Sequence, residues 1–373
     1  MTGLLQDREV AARVLDHIAQ GKTDLGGDVW REPVANYRSE ARLEAEIGTV
    51  LRRYPVPFCP SAALPDPGCY VAREAAGVPI LAVRGRDGIV RAFRNACRHR
   101  GMQVAAGSGC TNAFVCRYHG WAYRLDGGLG HIPHEEGFPG LDKAEHGLVP
   151  VTAVERAGLV FVTQDGSDHQ EVLDDLPPVI GAGQRVFATS EREVPANWKI
   201  SAEGFLEGYH ILPTHRETFF PYGFDNLNVI EAFGRNSRVT FPFRRIEKLA
   251  AVPPAERRVD GMLTYVYHLF PNVMIAMLSR HTQMVVLEPL DAGRTRFVTY
   301  AMAEAPPDGG PLPEEVTRDT DFVERSGGAE DREVTCAIQR AIGSGANMHF
   351  TFGRFEGAIV HFHRMLDAAL DGG

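Results

Sequence analysis

Two short motifs each place a thiol beside an imidazole. Cys97-Arg98-His99-Arg100-Gly101 is the first, and Cys116-Arg117-Tyr118-His119-Gly120-Trp121 is the second, with sixteen residues between His99 and Cys116. Each motif puts one sulfur and one nitrogen donor on a single loop, so two facing loops supply two of each. Zinc accepts such a Cys₂His₂ set tetrahedrally. The ligand order points to another chemistry. A zinc finger pairs Cys with Cys and then His with His, whereas each half here is mixed. Two mixed halves suit two metals, with both cysteines on one iron and both histidines on the other.

That is the ligand set of a Rieske [2Fe–2S] centre, where neutral imidazoles raise the potential above that of an all-cysteine cluster. Motifs of the form C-x-H and C-x-x-H at this spacing, followed by Arg-Gly and Gly-Trp, resemble the Rieske family and its oxygenase branch. The respiratory-chain branch usually adds a disulfide-forming cysteine beside each motif, and residues 98–101 and 117–121 contain none. Cys59, Cys69, Cys110 and Cys336 are therefore expected to be buried small hydrophobes.

A second constellation lies in residues 197–215, Asn-Trp-Lys-Ile-Ser-Ala-Glu-Gly-Phe-Leu-Glu-Gly-Tyr-His-Ile-Leu-Pro-Thr-His. Spacings of four and three put Glu203, Glu207 and His210 on one face of an expected helix. His215 is out of phase with that face, and Pro213 is expected to break the helix so that His215 can turn back. Two convergent histidines need one carboxylate to complete the facial triad of non-haem Fe(II). The alternative is that His210 and His215 only flank a helix C-terminus, where the dipole favours them.

With the Rieske motif upstream, nearly the whole chain resembles the catalytic alpha subunit of a Rieske non-haem iron oxygenase of the aromatic-ring-hydroxylating family. The resemblance carries Cys97, His99, Cys116 and His119 over as cluster ligands, and His210 and His215 as iron ligands. It implies a third iron ligand on a C-terminal helix. Glu330-Asp331, followed by Gln339-Arg340, resembles that segment and makes Asp331 the candidate, with Glu330, Glu333 and Asp321 as rivals and solvated helix charges as the alternative. Glu207 occupies the position of the carboxylate that links the iron histidine to a Rieske histidine of a neighbouring subunit. Many ring-dihydroxylating members have Asp there, and Gly204 replaces a frequent Asn. Monooxygenation and oxidative demethylation thus stay open beside dihydroxylation.

The elements that must position these residues separate by texture. Residues 1–53 read as helices: Leu4, Val10, Val14 and Ile18 recur at helical spacing, and Ser39 is a candidate N-cap. From 54 to 165 short β runs alternate with turns, as where Val78–Val83 and Ile89–Phe93 flank Gly-Arg-Asp-Gly. Residues 166–373 mix strands, such as Ser237–Phe243, Val273–Leu278 and Arg296–Ala301, with a helical tail. In that tail Val334, Ile338, Ile342, Ile359, Phe362 and Leu366 mark expected buried faces. The resemblance implies an α+β fold: a β-sandwich-like Rieske domain, and a helix-grip catalytic domain whose curved antiparallel sheet encloses an apolar cavity, with the N-terminal helices packed on it.

Composition narrows the function further. The chain has 373 residues, 44% hydrophobic and 23% charged, with 39 Lys+Arg against 48 Asp+Glu and a net charge of −9. That balance, with no basic stretch, argues against nucleic acid or an anionic membrane as partner. No apolar run approaches the roughly 20 residues of a membrane span. The acidic N-terminus lacks the apolar core of a signal peptide. Six cysteines are too sparse for a disulfide scaffold, so a cytoplasmic protein is expected. No glycine-rich loop has Rossmann or P-loop form. Electrons from NAD(P)H must then arrive through a separate reductase or ferredoxin.

The expected protein is thus a terminal oxygenase component, carrying a Rieske cluster and mononuclear Fe(II), that activates O₂. It would hydroxylate, dihydroxylate or demethylate a largely apolar aromatic or alicyclic compound, and the family's subunit-bridging carboxylate implies a homotrimer. The competing reading is a Rieske electron carrier or ligand-binding module without oxygenase activity. Phe219, Phe220, Tyr222 and Phe224 are candidates for either pocket wall or core. His361 and His363 read as structural, and His131, His134 and His146 as surface residues.

Overall fold

The computed structural model describes residues 3–166, 169–174, 176–306 and 310–372. Its internal contacts divide the chain into two units: one holds the residues up to Leu51 and from Phe187 onward, the other Arg52–Leu173 with Pro178–Val186.

The chain opens on helix α1 (Asp7–Gln20), where Gln6 and Glu9 cap each other's backbone and Gly21 ends the helix in a left-handed turn. Val10, Ala11 and Val14 form its buried stripe. Strand β1 (Trp30–Pro33) precedes helix α2 (Glu40–Ala45), and Ser39 caps α2 as expected by accepting the Arg42 N–H.

The second unit is built from β2 (Val56–Pro60), β3 (Cys69–Ala75), β4 (Val78–Arg84), β5 (Val90–Arg94), β6 (Gly107–Cys110), β7 (Phe114–Val115), β8 (Ala122–Tyr123), β9 (Leu129–His131), β10 (Pro150–Arg156) and β11 (Leu159–Thr163). Seven strands form one antiparallel sheet in the order β2-β11-β10-β5-β4-β3-β6, and β7-β8-β9 form a small second sheet. The expected β4–β5 hairpin closes through Gly85 and Gly88. Leu81, Val83 and Phe93 of the large sheet share one core with Phe114, Tyr123 and Leu129 of the small one, which makes the unit a sandwich.

The cysteine expectation needs correcting. Cys69 and Cys110 are bonded to each other, because β3 and β6 pair with these two residues directly opposite. Forty-one positions separate them in the chain, so only strand pairing reveals the partnership. Cys59 is buried as expected, and burial pushes its thiol up to about 12. Cys336 is only half-buried.

In the other unit the chain continues through β12 (Gln184–Val194), α3 (Trp198–Glu203), α4 (Ile211–Thr214), β13 (Ile230–Phe233), β14 (Asn236–Pro242), β15 (Leu263–Leu269), β16 (Val273–Met277), β17 (Thr282–Asp291), β18 (Arg294–Glu304), α5 (Glu314–Arg325), α6 (Gly327–Ala341), β19 (His349–Phe352) and α7 (Gly357–Asp371). Strands β13 to β18 follow one another in a curled antiparallel meander, and β12 adds to β18 at the far edge. Helix α7 buries Ile359, Phe362 and Leu366 and packs on β13 and β14. β19 pairs with β1.

Two expectations fail here. Val334 and Ile338 are 40% and 36% exposed, because α6 turns Gly327 and Thr335 inward instead. The helix expected to carry Glu203, Glu207 and His210 together ends at Glu203. Pro213 does not break a helix but sits inside α4, in a first turn where its missing N–H costs nothing. Among the described residues, no helix is long and apolar enough to cross a membrane.

Candidate metal centres

In the sandwich unit, the two Cys-His motifs form matching loops. The Gly101 N–H bonds the Cys97 carbonyl and the Gly120 N–H bonds the Cys116 carbonyl, at 2.8 and 2.9 Å. Both glycines adopt left-handed φ, 80° and 76°, which an L side chain resists. Cys97 and Cys116 are buried and unbonded to any other cysteine. The His99 and His119 rings lie 4.6 Å apart between centroids, and His99 stacks on Trp121 at 5.0 Å. The Tyr123 hydroxyl sits 3.2 Å from Cys97 Sγ and accepts the Arg98 N–H at 2.8 Å, which ties the first loop to β8.

These four side chains fit an iron–sulfur cluster. His99 Nδ1 is a buried nitrogen without a hydrogen-bond partner among the described residues. Burial, the neighbouring His119 and the Arg100 charge hold the His99 imidazole below its ordinary value, and the neutral ring is the form that binds metal. His131 and His134 lie at the surface, while His146 is half-buried and bonds the Asp142 carbonyl at 2.7 Å.

In the other unit, His210 and His215 flank the single turn of α4, and α6 brings Asp331 to them. One donor atom from each of the three lies within 4.8 Å of the others. His215 Nε2 is 2.9 Å and His210 Nε2 3.6 Å from Asp331 Oδ1. The opposite ring nitrogens are already taken. His210 Nδ1 bonds Glu207 Oε1, and His215 Nδ1 bonds Glu330 Oε2 at 2.7 Å. Each carboxylate turns its imidazole so that Nε2 faces the common point. Glu207 Oε2 also accepts the backbone N–H of Tyr209 and of His210. Thr218 Oγ1 fixes Glu330 Oε2 at 2.6 Å.

The donor set fits a cation. Burial opposes protonation of both imidazoles, yet Glu207 and Asp331 raise His210, and Asp331 and Glu330 raise His215, above the ordinary histidine value. Two nitrogens and one carboxylate with a solvent-accessible cavity beside them fit a mononuclear non-haem iron site. Of the rival carboxylates, Glu330 holds the far side of His215, Glu333 is exposed, and Asp321 faces Arg325 at 3.7 Å.

Helix α3 and the turn after it are anchored from below by buried charge. Glu46 accepts both Lys199 Nζ at 2.9 Å and the Trp198 indole N–H at 2.9 Å. Glu203 accepts the Tyr37 hydroxyl at 2.6 Å and contacts His363 Nε2 at 2.9 Å. His363 is structural, as expected; the network itself joins residues 37, 203 and 363, which no local pattern links.

A cavity of about 670 Å³ opens on the His210–His215–Asp331 cluster. Phe219, Tyr222 and Phe224 line it, as do Phe205, Phe241 and Phe297, while Phe220 lies outside and stacks under Arg244. Met274 belongs to the core. His281 is buried against Asp319 at 3.0 Å.

Comparison with known proteins agrees with this geometry. The family model for the catalytic domain of the ring hydroxylating alpha subunit matches residues 182–372, and that for the Rieske [2Fe-2S] domain matches residues 54–154. The carnitine monooxygenase oxygenase subunit of Escherichia coli (strain K12) is 36% identical over 201 residues, 50% of this chain and 53% of that protein. The chlorobenzene dioxygenase subunit alpha of Cupriavidus sp. (strain PS12) is 32% identical over 191 residues, 48% and 42% of the two chains. The chain thus spans about half the length of the curated relatives it matches. A quaternary ammonium Rieske monooxygenase solved with its substrate L-carnitine superposes with a TM-score of 0.77 at 21% identity, covering 98% of this chain and 99% of that one. Naphthalene 1,2-dioxygenase from Rhodococcus sp. gives 0.76 at 19%, covering 97% and 98%. With its catalytic-domain match extending over more than half of its length, the chain belongs to the ring hydroxylating alpha subunit family, whose members join a Rieske [2Fe-2S] domain to a domain that binds mononuclear iron.

Proposed function

We propose that this chain is the terminal oxygenase of a Rieske non-haem iron system, acting on a small, largely apolar substrate by hydroxylation, dihydroxylation or oxidative demethylation. The observation that carries the reading is the convergence of His210, His215 and Asp331 beside an aromatic-walled cavity, in a chain that also holds two facing Cys-His loops. Cys97, His99, Cys116 and His119 would hold the cluster, and His210, His215 and Asp331 the iron. When bound, these groups supply one-electron transfer and O₂ activation.

The chain's own residues do the rest. Glu207 and Glu330 hold an N–H proton of each imidazole at Nδ1, so that in the neutral ring Nε2 is the donor atom turned to the common point. The phenylalanine walls exclude water and orient an apolar body against the cluster of donors. Glu207 has oxygen lone pairs beyond those used on its own chain. We assign it the link between His210 and a Rieske histidine of a neighbouring copy, in a head-to-tail homotrimer. Electrons come from NAD(P)H through a separate reductase or ferredoxin, in the cytoplasm. The matched relatives are a carnitine monooxygenase and a chlorobenzene dioxygenase, so monooxygenation and dioxygenation both have precedent among them.

Iron and acid-labile sulfide analysis of anaerobically purified protein tests this reading. Three irons with two sulfides per chain are expected. Two irons with two sulfides, persisting after Fe(II) reconstitution, would leave a Rieske electron carrier or binding module instead.

A further inference from the structure

We propose that the substrate is an organic anion: an aromatic or alicyclic carboxylate whose carboxyl group pairs with Arg332 while its apolar body fills the cavity. This deepens the oxygenase reading and rests on it. Seven charged side chains line the cavity, four of them arginines (Arg192, Arg244, Arg245 and Arg332) and three of them acids (Asp319, Glu324 and Asp331). Every acid already has a basic partner. Asp319 bonds His281 at 3.0 Å, Glu324 bonds Arg192 at 2.8 Å, and Asp331 lies 2.9 Å from His215.

Two of the remaining arginines are also committed. Arg244 lies over the rings of Phe220 and Phe224, 5.0 and 5.2 Å from their centroids. Arg245 donates to the Gly261 carbonyl, and to Ser279 Oγ at 2.8 Å. Arg332 is different: among the described residues its guanidinium makes no hydrogen bond and no ion pair within 4 Å, although Glu324 and Asp331 attract its charge from farther off and Arg192 repels it.

A half-buried guanidinium on an apolar wall gains most from a partner that replaces its lost water. Its planar fork matches the two oxygens of a carboxylate. A cationic headgroup, by contrast, meets no unpaired acid on this wall. Arg332 directly follows Asp331 on α6, and both line the cavity, so an anion held there keeps its carbon skeleton beside the candidate iron ligands. Ser201 offers a second polar group: it is buried on the cavity wall, and among the described residues its Oγ has no hydrogen-bond partner.

The test is anaerobic calorimetry on the holoprotein with matched probes. These are phenylacetate and cyclohexanecarboxylate against phenylacetamide, methyl phenylacetate and benzyltrimethylammonium. The acids should bind about tenfold or more tighter than the neutral and cationic probes. Arg332→Gln should remove that preference by weakening only the acids, with Arg332→Lys retaining part of it. The iron count and the visible cluster spectrum of each variant report whether it is intact. Should Arg332→Gln lose its metals, the wild-type acid-over-amide preference and Arg332→Lys decide. Failure of the acids to bind, equal binding of amide or ammonium probes, or unchanged acid binding by an intact Arg332→Gln would overturn the proposal. Three irons without an acid preference would refute the substrate class alone, whereas two irons would refute the oxygenase reading itself.

Discussion

The two candidate metal centres are built in opposite ways. All four donors of the Cys-His loops fall within 23 consecutive residues, 97–119, and both loops close on the same device, a left-handed glycine bonded to the cysteine carbonyl. The other centre takes two histidines from one helical turn and its carboxylate from α6, more than a hundred residues on. Its histidines are oriented by one near neighbour, Glu207, and one distant one, Glu330, which lies 115 positions from His215. The first centre is thus encoded in local backbone geometry. The second exists only while α6 is docked against α4.

Removing one donor from each centre should break the comparison most completely. Cys97→Ser is expected to lose the cluster but keep the mononuclear iron, and His210→Ala to do the reverse. Turnover should vanish in both, while visible absorption and iron analysis separate them. If His210→Ala retained turnover, the iron assignment would be wrong.

Acid should strike the unit that holds the tertiary centre through His268. Burial depresses this imidazole to about 4, although its Nε2 lies 2.9 Å from the Pro271 carbonyl. Unfolded, the ring titrates near 6.5 and the native ring does not, so stability is fully present above that value and falls as pH drops from 6.5 towards 4. The expected loss is about 3 kcal/mol. Chemical denaturation across that range measures it, and His268→Gln should flatten the slope.

Glu207→Gln sharpens the link between the centres. Both should stay loaded, while single-turnover electron transfer from cluster to iron slows by about a hundredfold. Unimpaired transfer would remove Glu207 from the path. The smallest effect is expected at Glu330→Gln, which loosens only the far nitrogen of His215. Iron affinity should fall about tenfold with the cluster spectrum unchanged, as read by competition with a chelator.

Much of this was legible without coordinates where the signal is local. Ser39 announces α2, Gly-Arg-Asp-Gly announces the β4–β5 hairpin, and Ile359, Phe362 and Leu366 announce the buried face of α7. The failures share one cause. Periodicity extended the helix from Glu203 through His210, but it ends at Glu203, and a side chain at Gly208 would collide with the Asn228 side chain. Val334 and Ile338 have core-like spacing, yet the packing of α6 leaves them exposed. The Cys69–Cys110 bond depends on which strands pair.

The sequence by itself determined the donor types, their spacing within each loop and the strand and helix texture around them, because backbone preferences and ligand chemistry act over a few residues. Only the tertiary structure decided that Asp331 rather than Glu330 faces both histidines, that Glu330 orients His215, and that among the described residues Arg332 reaches the cavity wall without a direct hydrogen bond or close ion pair. Adjacent residues on a helix point about 100° apart. Which of them meets a given partner is set by how the helix docks, and that is a property of the whole fold.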